Sequence, residues 1–181
     1  MKKKLMAIAA VFCCAMTMTM FTACGSDDDG GSPVDDRKPV AVDMEYAFST
    51  TNDMLNIFDL TIEYYDANGT VQTEQMTSTQ WKKTLKPKIP ATVGARLMAK
   101  VKAGVDVASM EKVTLSYAYE YNGSAVSSDN HVVGTIIGGG SGQNLTMAGS
   151  KVADHLNKYK DGLVKYLYKY SSSGNAESGS W

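Results

Sequence analysis

The chain has 181 residues, 18 of them basic and 19 acidic, for a formal net charge of −1. Nothing in that balance suggests a phosphate-binding electropositive face, so nucleic acid is not an expected partner. Three cysteines, two of them adjacent at 13 and 14, exclude a disulfide framework.

Lys2, Lys3 and Lys4 precede an uncharged run from Leu5 to Phe21, which together read as the basic and apolar regions of a secretory signal. About 17 uncharged residues is also the lower limit for a membrane-spanning helix, so length alone leaves both readings open. Thr22 and Ala23 then supply the small residues of a peptidase site, directly before Cys24. Loss of residues 1–23 removes Cys13 and Cys14 and leaves one cysteine at the new amino terminus. It also takes three lysines from the 18 basic residues, leaving 15 against 19 acidic, or about −4.

Phe21-Thr22-Ala23-Cys24 resembles a bacterial lipobox, with phenylalanine where leucine is usual. The resemblance implies a diacylglyceryl group on the Cys24 thiol, cleavage before it and acylation of the new amino group. Several acyl chains hold a protein on a membrane where one alone binds reversibly. A secreted product without lipid and a retained single span are the other readings of the same segment.

Residues 24–39, CGSDDDGGSPVDDRKP, contain five aspartates and almost nothing to bury, so they are expected to form a flexible tether spanning about 20–25 Å. Ser26, Asp27, Asp28 and Asp29 resemble the acidic export tag of surface lipoproteins of the Bacteroides group. That likeness implies the outer face of the outer membrane; the periplasmic face, with the aspartates a solvated spacer, is the alternative. The run lacks the alternation of an EF-hand loop and has no closing glutamate.

From 40 to 170 the period is two. Val40, Val42, Met44, Tyr46 and Phe48 alternate with Asp43 and Glu45; Phe58, Leu60, Ile62 and Tyr64 alternate with Asp59, Thr61 and Glu63. Residues 70–76 and 81–85 read as short strands. Val93 to Val101 and Val113 to Tyr121 repeat the alternation, as do Val164, Tyr166, Tyr168 and Tyr170. Asp66-Ala67-Asn68-Gly69 and Asn122-Gly123 read as hairpin turns, the second joining the tyrosine-rich strand to another at 126–137. Pro87 and Pro90 mark a loop or sheet margin. Val152, Leu156 and Tyr159 have helical spacing, with Ser150 as a cap and Gly162 as a stop, so one short crossover helix is expected near 150–160. Residues 171–181 read as a disordered tail apart from whatever Trp181 touches. The fold expected is all-β, a two-layer antiparallel sandwich with immunoglobulin-like topology as the first choice and a small barrel as the second.

No reactive cluster emerges. His131 and His155 lack partners at metal-ligand spacing, no cofactor is implied, and no G-x-S-x-G elbow occurs. Gly138 to Gly142 lacks the Gly-Lys-Ser/Thr of a phosphate loop and reads as a flexible loop or a mobile rim over a binding surface. Asp59, Glu63, Glu111 and Glu120 are the scattered carboxylates available for glycoside hydrolysis. Asp59 and Glu63 would stand about 13 Å apart along one strand face, against the ~5–9.5 Å such chemistry uses. Aromatics remain: Tyr117, Tyr119 and Tyr121 form a stripe that can finish a core or stack on a ligand, and Trp81 sits among polar neighbours. The expectation is a non-enzymatic, lipid-anchored binding or structural module at the outer membrane. Its partner would be a glycan or an envelope protein, and an accessory role in fimbriae or secretion is the alternative.

Overall fold

The alternation of apolar and polar side chains decides which face of each strand turns inward, and two sheets result. The computed structural model describes residues 37–181. The signal segment 1–23, the lipidation residue Cys24, the tag residues Ser26 and Asp27 to Asp29, and the tether through residue 36 lie outside the described residues.

Nine strands form among the described residues: β1 Ala41–Thr50, β2 Phe58–Tyr65, β3 Val71–Gln75, β4 Gln80–Leu85, β5 Ala91–Val101, β6 Val113–Val126, β7 Val132–Met147, β8 Val164–Tyr170 and β9 Ala176–Ser178. They pair antiparallel in one sheet of order β4-β1-β6-β7 and another of order β3-β2-β5-β8-β9. The two-layer antiparallel sandwich is therefore the fold. Its strand order places β1 between β4 and β6, in the opposite sheet from β2, whereas immunoglobulin domains pair the first strand with the second.

Val42, Met44, Tyr46 and Phe48 of β1 are fully buried, as are Phe58, Leu60 and Ile62 of β2 and Val93, Ala95 and Leu97 of β5. These are the residues that the period-two pattern places inward. Lys88 bridges to Ala41 between Pro87 and Pro90, making that stretch a sheet margin. Asp66 to Gly69 forms the β2–β3 turn, where the Asp66 carboxylate accepts from the amides of Asn68 at 2.8 Å and Thr70 at 2.9 Å.

Two short helices carry the chain from one sheet to the other. The expected one is α2, Val152–Lys158, between β7 and β8. A second, α1, Asn52–Ile57, joins β1 to β2 and delays the start of that strand to Phe58. Thr51 caps it by accepting from the Met54 amide at 3.2 Å, and Met54 is buried beneath it. No helix among the described residues is long and apolar enough to cross a membrane.

Three expectations are corrected. Asn122-Gly123 is not a turn: β6 runs through it to Val126, and the reversal comes at 127–131, where Asn130 takes φ 65°. Gly123 is required instead by close approach, since a Cβ there would lie 2.8 Å from Met44 Sδ and 3.0 Å from Ile137 Cγ1. The glycine run 138–142 is neither loop nor mobile rim but the middle of β7, paired with 118–122 of β6. The tail is ordered. β9 extends the second sheet, the Gly179 amide donates to the Leu167 carbonyl at 2.8 Å, and the Trp181 indole donates to the Tyr166 carbonyl at 2.9 Å. This fold-back covers Leu167 on the outer face and sets Trp181 against Tyr65, with the Arg96 guanidinium over its ring at 4.9 Å.

Opposite Gly139 lies Tyr121, whose hydroxyl would stand 2.9 Å from an added Cβ. The Tyr121 ring is pinned by a stack on Tyr166 at 4.1 Å, so it has no room to yield. Gly139→Val is expected to cost about 1–3 kcal/mol by overpacking, read as a lower urea midpoint with an unchanged slope.

Candidate functional site

β8 is longer than the strand that flanks it. β9 pairs only with Tyr168 to Tyr170, and the tail beyond it reaches no further than the Tyr166 carbonyl, so the second sheet steps back beside Val164 and Lys165. The first sheet continues past that step, and the inward face of β7 is left uncovered. Ser141, Gln143 and Leu145 are all exposed there, opposite Tyr119, Tyr117 and Leu115 of β6. A groove of about 370 Å³ results. One wall is formed by those six residues; the other is formed by His155 and Tyr159 at α2 and by Leu163, Val164 and Lys165 at the start of β8. Its volume falls within the range of about 300–1,000 Å³ usual for ligand sites.

The groove sits at one end of the sandwich. Ala41 of β1 pairs with Val126, while Thr50 pairs with Tyr117. The described chain enters beside Ala41, so nine residue steps, about 30 Å at strand rise, separate that entry from the tyrosines of the groove.

Its aromatic members are held in place. The Tyr117 hydroxyl donates to the Leu163 carbonyl at 3.3 Å, and burial, reinforced by Tyr159 and Tyr119, pushes its pKa up, so it remains a neutral donor. Tyr119 stacks on Tyr166 at 5.8 Å. Tyr159 is 40% exposed and tilts against His155 at 4.8 Å. Burial, with Lys158 nearby, lowers the His155 pKa and keeps the imidazole uncharged at neutral pH. Lys158 also stands 5.5 Å from the Tyr159 ring centroid. Three phenol rings, an amide, a hydroxyl and an imidazole thus share one opening. They can stack on an apolar ring face and hydrogen-bond to its rim.

The expected aromatic stripe divides. Tyr117 and Tyr119 reach the groove, whereas Tyr121 is buried, stacked on Tyr166 and hydrogen-bonded to the Tyr168 hydroxyl at 2.8 Å. Trp81 is elsewhere, on edge strand β4, and it is no open platform. Its ring packs against Phe48 at 5.9 Å and Tyr64 at 5.4 Å, and its indole donates to Glu74 at 2.8 Å. His131 closes the β6–β7 turn, with Nδ1 3.0 Å from Asp129. Among the described residues no group of three histidine, cysteine or carboxylate side chains is placed to hold a metal. Tyr159, Gln143 and Lys165 are the groove residues that sequence reasoning did not single out. Tyr159 was legible only as a helix-face residue, and nothing local marks a strand position that a shorter neighbour will leave bare.

Glu74 of β3 accepts from Lys83 Nζ at 2.6 Å, the Tyr64 hydroxyl at 2.6 Å and the Trp81 indole at 2.8 Å, so it ties together the edge strands of the two sheets. Comparison of the chain with protein-family models, with curated proteins and with solved structures finds no match.

The donors around Glu74, Lys83 first and then Tyr64, hold its pKa down to about 2, against 4.5 for an unperturbed glutamate. A depressed folded pKa stabilises the fold fully above about pH 4.5, and this contribution is lost as pH falls towards 2. Because the Glu74 side chain is 37% exposed, screening reduces it to about 1 kcal/mol. Glu74→Gln should therefore lower stability by about that amount at pH 7 and flatten the loss between pH 4.5 and 2 in acid-denaturation curves. Trp81→Ala should cost about 2–3 kcal/mol as a partly buried aromatic truncation. Trp81→Phe, which keeps an aromatic ring of smaller size and removes the donor, should cost less, about 1–2 kcal/mol. Thermal unfolding of the two variants separates packing from hydrogen bonding.

Proposed function

We propose that this chain is a lipid-anchored lipoprotein of the outer membrane and a non-catalytic binding module, whose groove takes a saccharide exposed at the cell surface. The observation that carries the reading is the groove itself. Tyr117, Tyr119 and Tyr159 offer ring faces, and Ser141, Gln143 and His155 offer donors and acceptors around them. Sugars present this combination in mirror image, with apolar C–H faces bounded by hydroxyls, and aromatic side chains with polar neighbours meet both.

Position supports the same reading. A domain held by its first residues should carry a capture site away from that end, and the groove lies about 30 Å along β1 from it. The lipobox-like Phe21-Thr22-Ala23-Cys24 and the acidic residues that follow supply the anchor and the spacer. Lipid on Cys24 would keep the domain at the membrane, and the aspartate-rich segment after it would separate the domain from the lipid surface.

A second reading, an accessory subunit that accepts a partner strand, rests on β7. This is a 16-residue edge strand, and no strand among the described residues pairs with the outer side of its stretch 138–147. Protection of the outward amides of 138–147 from hydrogen exchange in isolated outer membranes, absent from the purified protein, would favour it over saccharide capture.

Two measurements test the proposal. Mass spectrometry of the native protein should find a chain beginning at a lipid-modified Cys24, and Cys24→Ser should release the protein from the membrane fraction. On a glycan array, Tyr159→Ala should weaken saccharide binding about tenfold, the worth of one aromatic contact, without moving the melting temperature by more than a degree or two. No binding of any saccharide at millimolar concentration would sink the groove's assignment.

A further inference from the structure

A sheet edge offers unpaired N–H and C=O groups to any strand that can lie beside it, and folded proteins blunt such edges with charge, proline, bulges or brevity. Three edges of this sandwich are blunted. β4 carries Lys82 and Lys83, β3 has five residues with Glu74 among them, and β9 has three with Glu177 among them. β7 differs. Its stretch 138–147, GGGSGQNLTM, has no charged residue and no proline, and its register against β6 runs there without a shift. Residues 138–146 are all exposed. Every second residue of the stretch turns its amide and carbonyl away from β6, where no backbone group among the described residues meets them.

The two halves of that stretch are unlike. Residues 138–142 are glycine apart from Ser141, whereas every residue of 143–147 bears a side chain. The fold of one copy explains part of this, since a Cβ at Gly139 would press on Tyr121 and one at Gly140 would lie 2.8 Å from the Tyr119 carbonyl oxygen. It does not explain Gly142. A Cβ there would meet only Ala118 Cβ at 3.5 Å and the Tyr117 carbonyl oxygen at 3.8 Å, ordinary contacts, and its φ is not positive. An antiparallel strand of the same sequence, centred on this residue, accounts for it. Gly142 then faces its own copy on the two-fold axis, Ser141 faces Gln143, and Gly140 faces Asn144. Each bare half receives the side chains of the other, and no like charges meet across the axis.

From these observations we infer that β7 pairs antiparallel with β7 of a second copy about Gly142, joining two four-stranded sheets into one. The contact is closed, because each copy uses the same patch. Opposite residues of an antiparallel pair share a face, so the two grooves open on one side and lie between the two chain entries. Gln143 of the second copy would stand beside Ser141, one strand spacing away at about 4.8 Å. Each copy thereby supplies residues to the groove of the other. Pairing of the edges needs nothing from the ligand, and it holds whether or not the groove takes a saccharide.

The experiment follows full-length protein in density-matched detergent by sedimentation equilibrium and by hydrogen exchange at rising concentration. Dimers are expected at about 10–100 μM, the range of a small interface, with protection of the outward amides of 138–147 rising as they form. Gly142→Lys sets two ammonium groups opposite each other and should weaken dimerisation about fivefold or more, with the far-ultraviolet circular dichroism unchanged. Gly142→Glu should do the same, and an equimolar mixture of the two variants should dimerise again. Gly142→Cys should form an intermolecular disulfide on mild oxidation that the wild-type chain does not form. A monomer throughout that range, with these amides exchanging freely, would overturn the inference. So would a dimer that Gly142→Lys leaves unchanged, since its contact must lie on another face. Protection found in isolated outer membranes but not in the purified protein at any concentration would give the edge to a strand of a different protein and rule out the second copy.

Discussion

The stack of Tyr121 on Tyr166, ring centroids 4.1 Å apart, joins the two sheets of a sandwich that no disulfide between described residues holds together. Tyr166 enters from β8 and meets Tyr119 and Tyr121 of β6, while its far side leans on Tyr46 of β1 at 6.3 Å. Each such ring contact is worth about 0.5–1.5 kcal/mol beyond the area it buries. Tyrosine in a core brings a hydroxyl that must be satisfied, and most of these are. Tyr46 accepts from the Gly94 amide of the opposite sheet at 2.9 Å, Tyr121 pairs with Tyr168, and Tyr170 donates to the Thr135 carbonyl at 3.2 Å. The exception is the Tyr166 hydroxyl, buried without a partner among the described residues. Leaving it so costs about 1–3 kcal/mol, which the ring contacts on both sides offset. Burial drives the pKa of Tyr46, Tyr121 and Tyr166 upward and that of Tyr170 to about 12, so the layer remains uncharged.

The same layer becomes the wall of the groove where the sheets cease to overlap. Tyr121 and Tyr119 lie on one face of one strand, two residues apart; Tyr121 is covered by Tyr166 and Tyr168 of β8, whereas Tyr119 meets only Tyr166 of that strand and opens onto the groove. The difference between core and site is one of coverage. The opposite edge has the reverse arrangement. There Trp81, which carries the polar handle of an interface aromatic, is closed off by Tyr64 and by Glu74 with its three donors. One side of the sandwich is clasped and the other is left ajar.

Much of this was legible because a strand's period encodes its own face. The inward sets Val42 to Phe48, Phe58 to Ile62 and Val93 to Leu97 needed no knowledge of neighbours, and the α2 stripe was likewise local. Positions whose reason lies in another strand were misread. Gly123 and Gly139 have the composition of turns, but they are glycines because Met44 and Tyr121 press against them, and sequence does not show which residue will stand opposite. The polar neighbours of Trp81 suggested exposure, since period two in a clasped edge strand looks the same as in a free one. The tail has few apolar residues, and its order depends on Trp181 finding the Tyr166 carbonyl, Tyr65 and Arg96 across the sheet. Residues 127–131 hid a turn closed without an Asn-Gly pair, in which the His131 amide donates to the buried Ser127 hydroxyl and the Asn130 amide to the Ser127 carbonyl.

Rigidity gives the groove its bearing on binding. A flexible surface loses much of its contact energy to ordering on association, and aromatic side chains with two torsions lose the least. Here even that freedom is spent beforehand: Tyr117 is held by the Leu163 carbonyl, Tyr119 by Tyr166, and Tyr159 by His155 with Lys158 over its ring. The strands behind them are paired along their length, and the run Gly138 to Gly142, instead of loosening the wall, lets β7 lie close against the β6 tyrosines. A wall preorganised in this way suits capture of a ligand from dilute solution, where the affinity available from a few stacked rings is small and little of it can be lost to ordering the protein.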